Sequence, residues 1–332
     1  LKILIVRVSS LGDVVHNMPI VADIRQQYPQ AQIDWVVEEA YVELVGLNQY
    51  VDHIIPVAIR RWRKKLFNPQ VRQEMRTFYK RLRATEYDLV LETQGLLKTG
   101  IIMGMARLAP GGQKVGLANA TEGSGFEPAS KWFHSKSIPV DVRTHAVLRG
   151  RLVTAAALGV TVNTPPDFGL RAPDPLQIDG LPSTPYVVFF HGTAGASKKW
   201  AVENWIVLGQ YFAQAGYPIL LPWGNAEEKA AADTLASQIP GALVLPKLGM
   251  MAAVALAQGA ACVVGLDTGL THVAAAYGRP TIELYCDSPR WKTEGNWSDT
   301  IVNLGDKQQP PSVDDVLKAV ATLGINPRHL AN

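Results

Sequence analysis

Residues 2–16 read KILIVRVSSLGDVVH, and how this stretch divides decides the fold. KILIVRV is an almost unbroken apolar run rich in β-branched residues, the pattern of a strand buried on both faces. VSSLGDVVH then leads through small residues into VVHNMPIVADIRQQYP, which predicts a helix ending near Pro29. Strand, tight turn and helix make the first unit of a doubly wound α/β sheet. Such turns often hold phosphate, and those that do favour glycine over acid. This one has Ser9, Ser10, a single glycine, Gly12, and a carboxylate, Asp13, at the helix entrance. An acid in the first turn complements the helix dipole, so Asp13 has a capping role open to it, and Ser9 or Ser10 could equally be the cap. Its place at the carboxyl edge of the strand is also where a partly desolvated carboxylate can act as a general base.

The alternation continues along the chain. QIDWVVEE (32–39), VDHIIPV (51–57) and YDLVLETQG (87–95) read as further strands with helices between them. Between Val162 and Pro185 the texture changes: Pro165, Pro166, Pro173, Pro175, Pro182 and Pro185 make poor helix and poor central strand. After this seam YVVFFH, YPILLPWG, GALVLP, ACVVGLDT and PTIELYC are strands, and DDVLKAVATLG, with Ser312 as N-cap, is the last helix. A length of 332 residues exceeds one ordinary core. The expected architecture is α/β: two Rossmann-like doubly wound domains, 1–162 and 186–332, facing across a cleft and joined by a proline-rich linker, 163–185.

Apolar residues make up 47% of the chain and charged residues 18%, a globular composition that excludes disordered and fibrous classes. The net charge of +3 implies no polyanion partner for the molecule as a whole. Cys262 and Cys286 both lie in apolar strand-like runs, which points to a reducing compartment rather than a disulfide framework, and no CxxC or Cys/His cluster suggests zinc. The first residues read as strand rather than as a signal core, and no uncharged apolar run reaches the ~18 residues of a membrane helix. A cytoplasmic location is expected.

In open parallel sheets ligands bind outside the carboxyl ends of the strands. The segments that follow the second-half strands are HGTAGASKKW, WGNAEE, KLGM and DTGLTH, and they bring Thr193, Lys198, Glu228, Leu248, Asp267, Thr268, Gly269 and His272 to one edge. Thr268 and Gly269 stand where a helix begins, so backbone N–H groups and the helix dipole favour an anion there. Lys198 adds a full positive charge. Glu228 suits ribose or sugar hydroxyls better than phosphate. Singly, each has a plain structural reading: a cap, a solvated lysine, a satisfied core histidine. Four loops on one edge, each with a suitable group, point to a nucleotide-diphosphate site.

In the first half IPVAIRRWRKK carries Arg60, Arg61, Arg63, Lys64 and Lys65 directly after a strand. Asn68-Pro69 then reads as an N-cap and first helical residue. The helix that follows has an apolar stripe, Val71, Met75, Phe78 and Leu82, and a basic one, Arg72, Arg76, Lys80 and Arg83. From Arg60 to Arg83 there are ten basic residues and one acid, Glu74. Most charge runs are only solvated faces. This one is dense for a nearly neutral chain and fits a partner bearing several carboxylates or phosphates, or an anionic membrane surface. Nucleic acid is the rival partner, with Trp62, Phe67 and Tyr79 available to stack, but no nucleic-acid-binding motif accompanies the cluster and none is expected to bind.

These motifs together resemble the bacterial lipopolysaccharide heptosyltransferases. The resemblance rests on KILIVRVSSLGDVVH, DWVVEE, IPVAIRRWRK, ETQGLLKTG, HGTAGASKKW, LPWGNAEE, VLPK and DTGLTHVAAA, which run in the family's order over almost the whole chain. IPVAIRRWRK is the most specific of them, because it marks the branch that acts on Kdo-bearing lipid A. The resemblance implies a GT-B fold and an inverting transfer of L-glycero-D-manno-heptose from ADP-heptose, without metal or cofactor, at the cytoplasmic face of the inner membrane. It implies that Asp13 is the catalytic base and that Lys198 stabilises the leaving phosphate. Thr193, Lys198, Glu228, Leu248, Asp267, Thr268, Gly269 and His272 would hold the donor. Ser10, Gly12, Arg60, Arg61, Arg63, Lys64 and Gln94 would face the acceptor. Two positions depart from the family's pattern: Phe126 stands where an arginine usually precedes Glu127-Pro128, and Ala194 follows Thr193 where a second hydroxyl is common. A family member with another acceptor, a sugar-nucleotide epimerase and an RNA-binding protein are the alternatives.

Overall fold

The computed structural model describes residues 1–175, 177–178 and 181–325. They fall into two compact units, Leu1–Arg171 and Ala172–Asn332. In the first, β1 (Lys2–Val6), α1 (Leu11–Asn17), α2 (Pro19–Gln27), β2 (Gln32–Glu38), α3 (Val42–Gly46), β3 (His53–Val57), α4 (Ile59–Trp62), α5 (Pro69–Leu82), β4 (Glu86–Glu92), α6 (Leu97–Met105), β5 (Arg107–Leu117), β6 (Lys136–Ile138) and α7 (Ala146–Leu158) follow one another. The second has β7 (Val187–Phe190), α8 (Val202–Gln214), β8 (Ile219–Leu221), α9 (Ala226–Gln238), β9 (Ala242–Val244), α10 (Met250–Gly259), β10 (Cys262–Leu266), α11 (Gly269–Ala276), β11 (Thr281–Tyr285), β12 (Ile301–Gly305) and α12 (Val313–Thr322).

Both sheets are parallel throughout. Their orders are β3-β2-β1-β4-β5-β6 and β12-β11-β10-β7-β8-β9. Each unit thus pairs its first strand with its fourth, and the winding reverses between them. The loops leaving β1 and β4, and those leaving β7 and β10, diverge there and leave room for a ligand.

Burial follows from the two-sided cover. Ile3, Leu4, Ile5 and Val6 of β1 are all inaccessible to solvent. On one face Leu4, Val6 and Val90 pack with Val71, Phe78 and Leu82 of α5 and Ile102 and Met103 of α6. On the other, α7 packs against α1 and α2, so closely that a Cβ on Gly150 would lie 2.7 Å from Asn17 Oδ1. In the second unit Phe189, Trp200, Trp205 and Phe212 form an aromatic cluster beneath α8. Full burial of one such side chain stabilises by about 1.5–3 kcal/mol. Cys262 and Cys286 are buried free thiols, which burial pushes up to about 12 and about 11.

Several expectations change in detail. The single helix expected to end near Pro29 is two, α1 and α2, because Pro19 has no N–H to continue the ladder and opens a new helix at its first position. Strands β5, β6 and β12 go beyond the sequence reading. β5 contains Pro110, Gly111 and Gly112, and its register with β4 shifts between Tyr87 and Leu89, so no strand period survives in the sequence. Asn68 caps α5 as expected, accepting from the N–H groups of Gln70 and Val71 at 2.9 and 3.3 Å. Ser312 caps α12, accepting from Asp315 N–H at 3.2 Å. Of the apolar stripe on α5, Met75 is exposed. Residues 168–171 of the proline-rich stretch run against the end of α3, with Asn48 Nδ2 donating to Phe168 O at 3.0 Å and Arg171 N–H to Leu47 O at 2.8 Å. Leu176, Asp179 and Gly180 of that stretch, and the last seven residues of the second expected domain, lie outside the described residues. No helix among the described residues is long and apolar enough to cross a membrane.

Candidate functional site

In the first unit the divergence between β1 and β4 holds Asp13. Ser10 is the N-cap of α1, and Asp13 Oδ2 accepts from its N–H at 3.0 Å and its hydroxyl at 2.9 Å. The capping role is therefore filled, by one carboxylate oxygen. The other, Oδ1, lies 2.5 Å from Arg7 Nη2 and 3.8 Å from Arg149 Nη2. Arg7 is 1% exposed and also donates to the Thr93 carbonyl. Arg149, also buried, donates to Thr121 Oγ1 at 2.7 Å. Burial pushes the Asp13 carboxyl up, but the Arg7 guanidinium, the Ser10 hydrogen bonds and Arg149 outweigh it and hold the group well below the usual carboxylate range. The side chain keeps 37% of its surface in solvent. It is an ionised, reachable carboxylate on a rigid mount.

Around it, Gln94 Oε1 accepts from Val8 N–H at 3.2 Å, and Lys98 Nζ donates to Ser9 Oγ at 3.1 Å. Burial, with Arg60 nearby, pushes Lys98 down. Glu92, wholly buried at the end of β4, accepts from the N–H groups of Gln94 and Gly95 at 2.7 and 2.8 Å and so shapes the turn that carries Gln94. Gly95 has φ +74°, and a Cβ there would meet the Phe126 ring at 2.7 Å. The residue that departs from the family's pattern thus packs over this turn. Gly12 lies half-buried in the first turn of α1.

The basic arm is only partly free. Arg60, Arg63 and Lys64 are exposed, Arg60 with its N–H on Glu38 Oε1 at 3.1 Å and its guanidinium 5.7 Å from the Tyr41 ring. Arg61 is held by Glu39 at 3.0 Å and by Glu74 at 2.8 Å. Trp62 is buried against Phe78 and donates to Glu74, so it offers no stacking face.

In the second unit β10 ends at Asp267, and Thr268 caps α11 without spending its side chain on the first helical N–H groups. Asp267 Oδ2 is 3.3 Å from Lys198 Nζ, and Oδ1 is 3.1 Å from both His272 Nε2 and Thr293 Oγ1. His272 Nδ1 is 3.0 Å from Glu283 Oε1, whose other oxygen accepts from Tyr285 OH and Gly295 N–H. The charges alternate in sign: Lys198, Asp267, His272, Glu283. Burial drives His272 down, but Glu283 and Asp267 outweigh it and lift the ring to about 10, so it is an imidazolium at neutral pH. Burial drives Asp267 up, and His272, Ser288 and Lys198 overcome it to hold the group well below the usual carboxylate range. The four charges balance, so the pull on an anion at this edge rests on the N–H groups that open α11 at Gly269 and on Lys198, the cation of the four with its side chain in solvent.

Beside this, Glu228 accepts from Gly224 N–H at 2.7 Å and from Asn225 Nδ2 at 2.9 Å. It leans on Gly192, where a Cβ would lie 2.6 Å from Glu228 Cδ. Thr193 and Leu248 are half-buried in the loops after β7 and β9. Among the described residues no group of three or more His, Cys, Asp or Glu is arranged to hold a metal ion.

Arg7, Glu92, Lys98, Arg149 and Glu283 were not singled out from the sequence. Arg7, Glu92 and Glu283 do leave a signal: each is a charged residue in or at the end of a largely buried strand, and such a group needs a partner. Arg149 and Lys98 left none.

A family model, glycosyltransferase family 9 (heptosyltransferase), matches residues 75–319. The lipopolysaccharide heptosyltransferase 1 of Pseudomonas aeruginosa is 38% identical over 287 residues, 86% of this chain and 78% of that protein. The solved structure of the E. coli heptosyltransferase WaaC with ADP matches with a TM-score of 0.83 at 32% identity, covering 97% of this chain and 99% of that one. The same enzyme with ADP-2-deoxy-2-fluoro heptose matches over the same shares with a TM-score of 0.79.

Proposed function

The chain belongs to glycosyltransferase family 9, and from that premise we propose that it moves L-glycero-D-manno-heptose from ADP-heptose to the Kdo of Kdo-bearing lipid A, with inversion and without metal. One observation carries the donor assignment: 97% of the chain matches a protein solved with an ADP-heptose analogue. In this reading the second unit holds the donor, with its diphosphate at Thr268, Gly269 and Lys198 and its sugar hydroxyls on Glu228. Thr193 and Leu248 complete that site. Asp267 orients Lys198 and His272 rather than meeting the diphosphate directly, because both its oxygens are already engaged.

The first unit supplies the base. An acceptor hydroxyl oxygen attacks the anomeric carbon, its proton passes to Asp13, and the bond from that carbon to the diphosphate breaks on the opposite face. ADP leaves with the electron pair, and Lys198 with the α11 amides stabilises the charge that develops on it. A carboxylate as weakly basic as Asp13 accepts the proton late, once the new C–O bond has made the hydroxyl acidic. Ser10, Gly12, Gln94 and the exposed Arg60, Arg63 and Lys64 are assigned to the acceptor. Arg61 joins them only by leaving Glu39 and Glu74. The protein works peripherally at the cytoplasmic face of the inner membrane.

Mass spectrometry of Kdo-lipid A after incubation with the protein and ADP-heptose tests this reading. Gain of one heptose, with release of ADP, is expected. Product formed from ADP-heptose without any acceptor would instead indicate an epimerase, and transfer only to an acceptor that already carries heptose would indicate another member of the family.

A further inference from the structure

The α5–α6 layer of the first unit combines two features that its role as cover for the sheet does not require. Between Arg60 and Arg83, with Glu74 joined to Arg61, every remaining charge is positive. The same layer exposes large apolar side chains. Phe67 and Leu66, just before α5, are 86% and 49% exposed. Met75 and Tyr79 are exposed on the outer side of α5, among Arg72, Arg76, Lys80 and Arg83. Arg72 sits 5.7 Å from the Phe67 ring and Arg83 5.2 Å from the Tyr79 ring, so the cations and rings interleave.

The pattern extends to α6. Arg83 Nη1 donates to Met105 O at 2.9 Å and ties the end of α5 to the end of α6. Ile101 is exposed on α6. Trp132, 82% exposed, stands on the short turn Pro128–Phe133, which is clamped to α6 by the Phe133 ring lying over Gly100 and Gly104. A soluble surface has no use for this many large apolar groups on one layer. An amphipathic, basic face whose aromatic rings rest among lipid headgroups and whose arginines and lysines reach lipid phosphates does.

We propose that the outer side of α5 and α6, led by Phe67 and Trp132, is a docking face for an anionic lipid bilayer. Its purpose, bringing a membrane-embedded acceptor to Asp13, rests on the function proposed above; the docking itself does not. The apolar groups favour lipid over RNA, because Leu66, Met75 and Ile101 have no ring to stack on a base.

Sedimentation of the full chain with vesicles tests it. Binding is expected to vesicles of phosphatidylcholine with about one-third phosphatidylglycerol and not to phosphatidylcholine alone, and it should weaken with salt. Each neutralised cation should weaken partitioning about fivefold, so the triple variant R72Q/R76Q/K80Q should bind about 100-fold more weakly. F67S/W132S should bind at least about tenfold more weakly at unchanged net charge. All five positions are exposed, and unchanged melting temperatures would show that both variants fold. Vesicle binding equal to that of the parent in both variants would overturn the proposal. So would binding to a homopolymeric RNA that the triple variant loses while the parent ignores anionic vesicles. Heptose transfer to a Kdo acceptor without acyl chains is the separate readout of function. Its absence, with vesicle binding intact, would sink the transferase reading and leave the docking face standing.

Discussion

Arg7 and Asp13 meet across the turn between β1 and α1, Nη2 to Oδ1 at 2.5 Å, with the cation buried and the carboxylate still 37% in solvent. Without the acid the buried cation would be left uncompensated, at a large desolvation cost, and the acid is tied a second time by Ser10. The pair sets both the direction in which the carboxylate points and the pH at which it takes a proton.

The pH profile should report this pair. Because its folded pKa is depressed, Asp13 contributes stability that is present above the unfolded value of about 3.9 and lost as pH falls through the folded value. Its ionised form therefore persists through the whole neutral range, and kcat/KM should show no acid limb from Asp13 between about pH 5 and 8. Arg7→Met removes the largest of the opposing causes and leaves only Ser10 and Arg149 against burial, so the acid limb should move to higher pH than in the parent. A limb between about pH 5 and 8 in the parent protein, or no upward movement in the variant, would show that Arg7 does not control this group.

Asp13→Asn should lower turnover by about 10²–10⁴-fold. ADP affinity should not change, because the groups assigned to ADP belong to the second unit. The amide cannot neutralise Arg7, which costs stability. Loss of a fully buried pair would cost about 3–5 kcal/mol; here water reaches the acid, so about 1–3 kcal/mol is expected by urea titration. Near-parental turnover would remove Asp13 from the role of base.

Much of this site was legible in the sequence because it sits at strand ends. Asp13, Gln94, Lys198 and Asp267 each follow a strand next to the reversal of winding in its sheet, and apolar runs alone locate those strands. What resisted reading depends on partners far away in the chain. Arg149 reaches Asp13 from α7, which no local pattern predicts. The engagement of Arg61 by Glu39 and Glu74 was equally hidden, since a basic run looks free until the fold brings acids to it. β5 escaped for a local reason: Pro110-Gly111-Gly112 breaks the period by which strands are recognised.

Gly192→Ala probes the donor side. The new Cβ would lie 2.6 Å from Glu228 Cδ, so either the loop after β7 or the Glu228 carboxylate must shift. Affinity for ADP-heptose should fall about tenfold, the effect of losing one charge-assisted hydrogen bond. Calorimetry with ADP-heptose and with ADP separates the causes. A loss for ADP-heptose much larger than for ADP places Glu228 on the heptose, and an equal loss for both places it on the ribose. Unchanged affinity for both would remove it from the donor site.

Lys198→Ala should reduce kcat by about 10²–10³-fold, the usual consequence of deleting one group that stabilises developing charge. Activity of the parent should be unaffected by excess EDTA, since Lys198 and the α11 amides are assigned the part a divalent ion plays elsewhere. Loss of activity in EDTA, restored by added magnesium, would contradict that assignment.

His272 makes the second unit sensitive to alkali. Its ring is raised from about 6.5 in the unfolded chain to about 10 between Glu283 and Asp267. A raised cationic group contributes stability that is complete below the unfolded value and is lost as pH climbs from about 6.5 through about 10. His272→Gln removes the charge at every pH and leaves Asp267 and Glu283 without the cation between them, so the variant should melt well below the parent at neutral pH. The gap should narrow steadily towards pH 10, because the parent is then losing the same charge. Scanning calorimetry of both proteins from about pH 6 to 10.5 measures this directly. Melting curves that stay parallel over that range would show that the ring does not lose its proton there, against the titration set by Glu283 and Asp267.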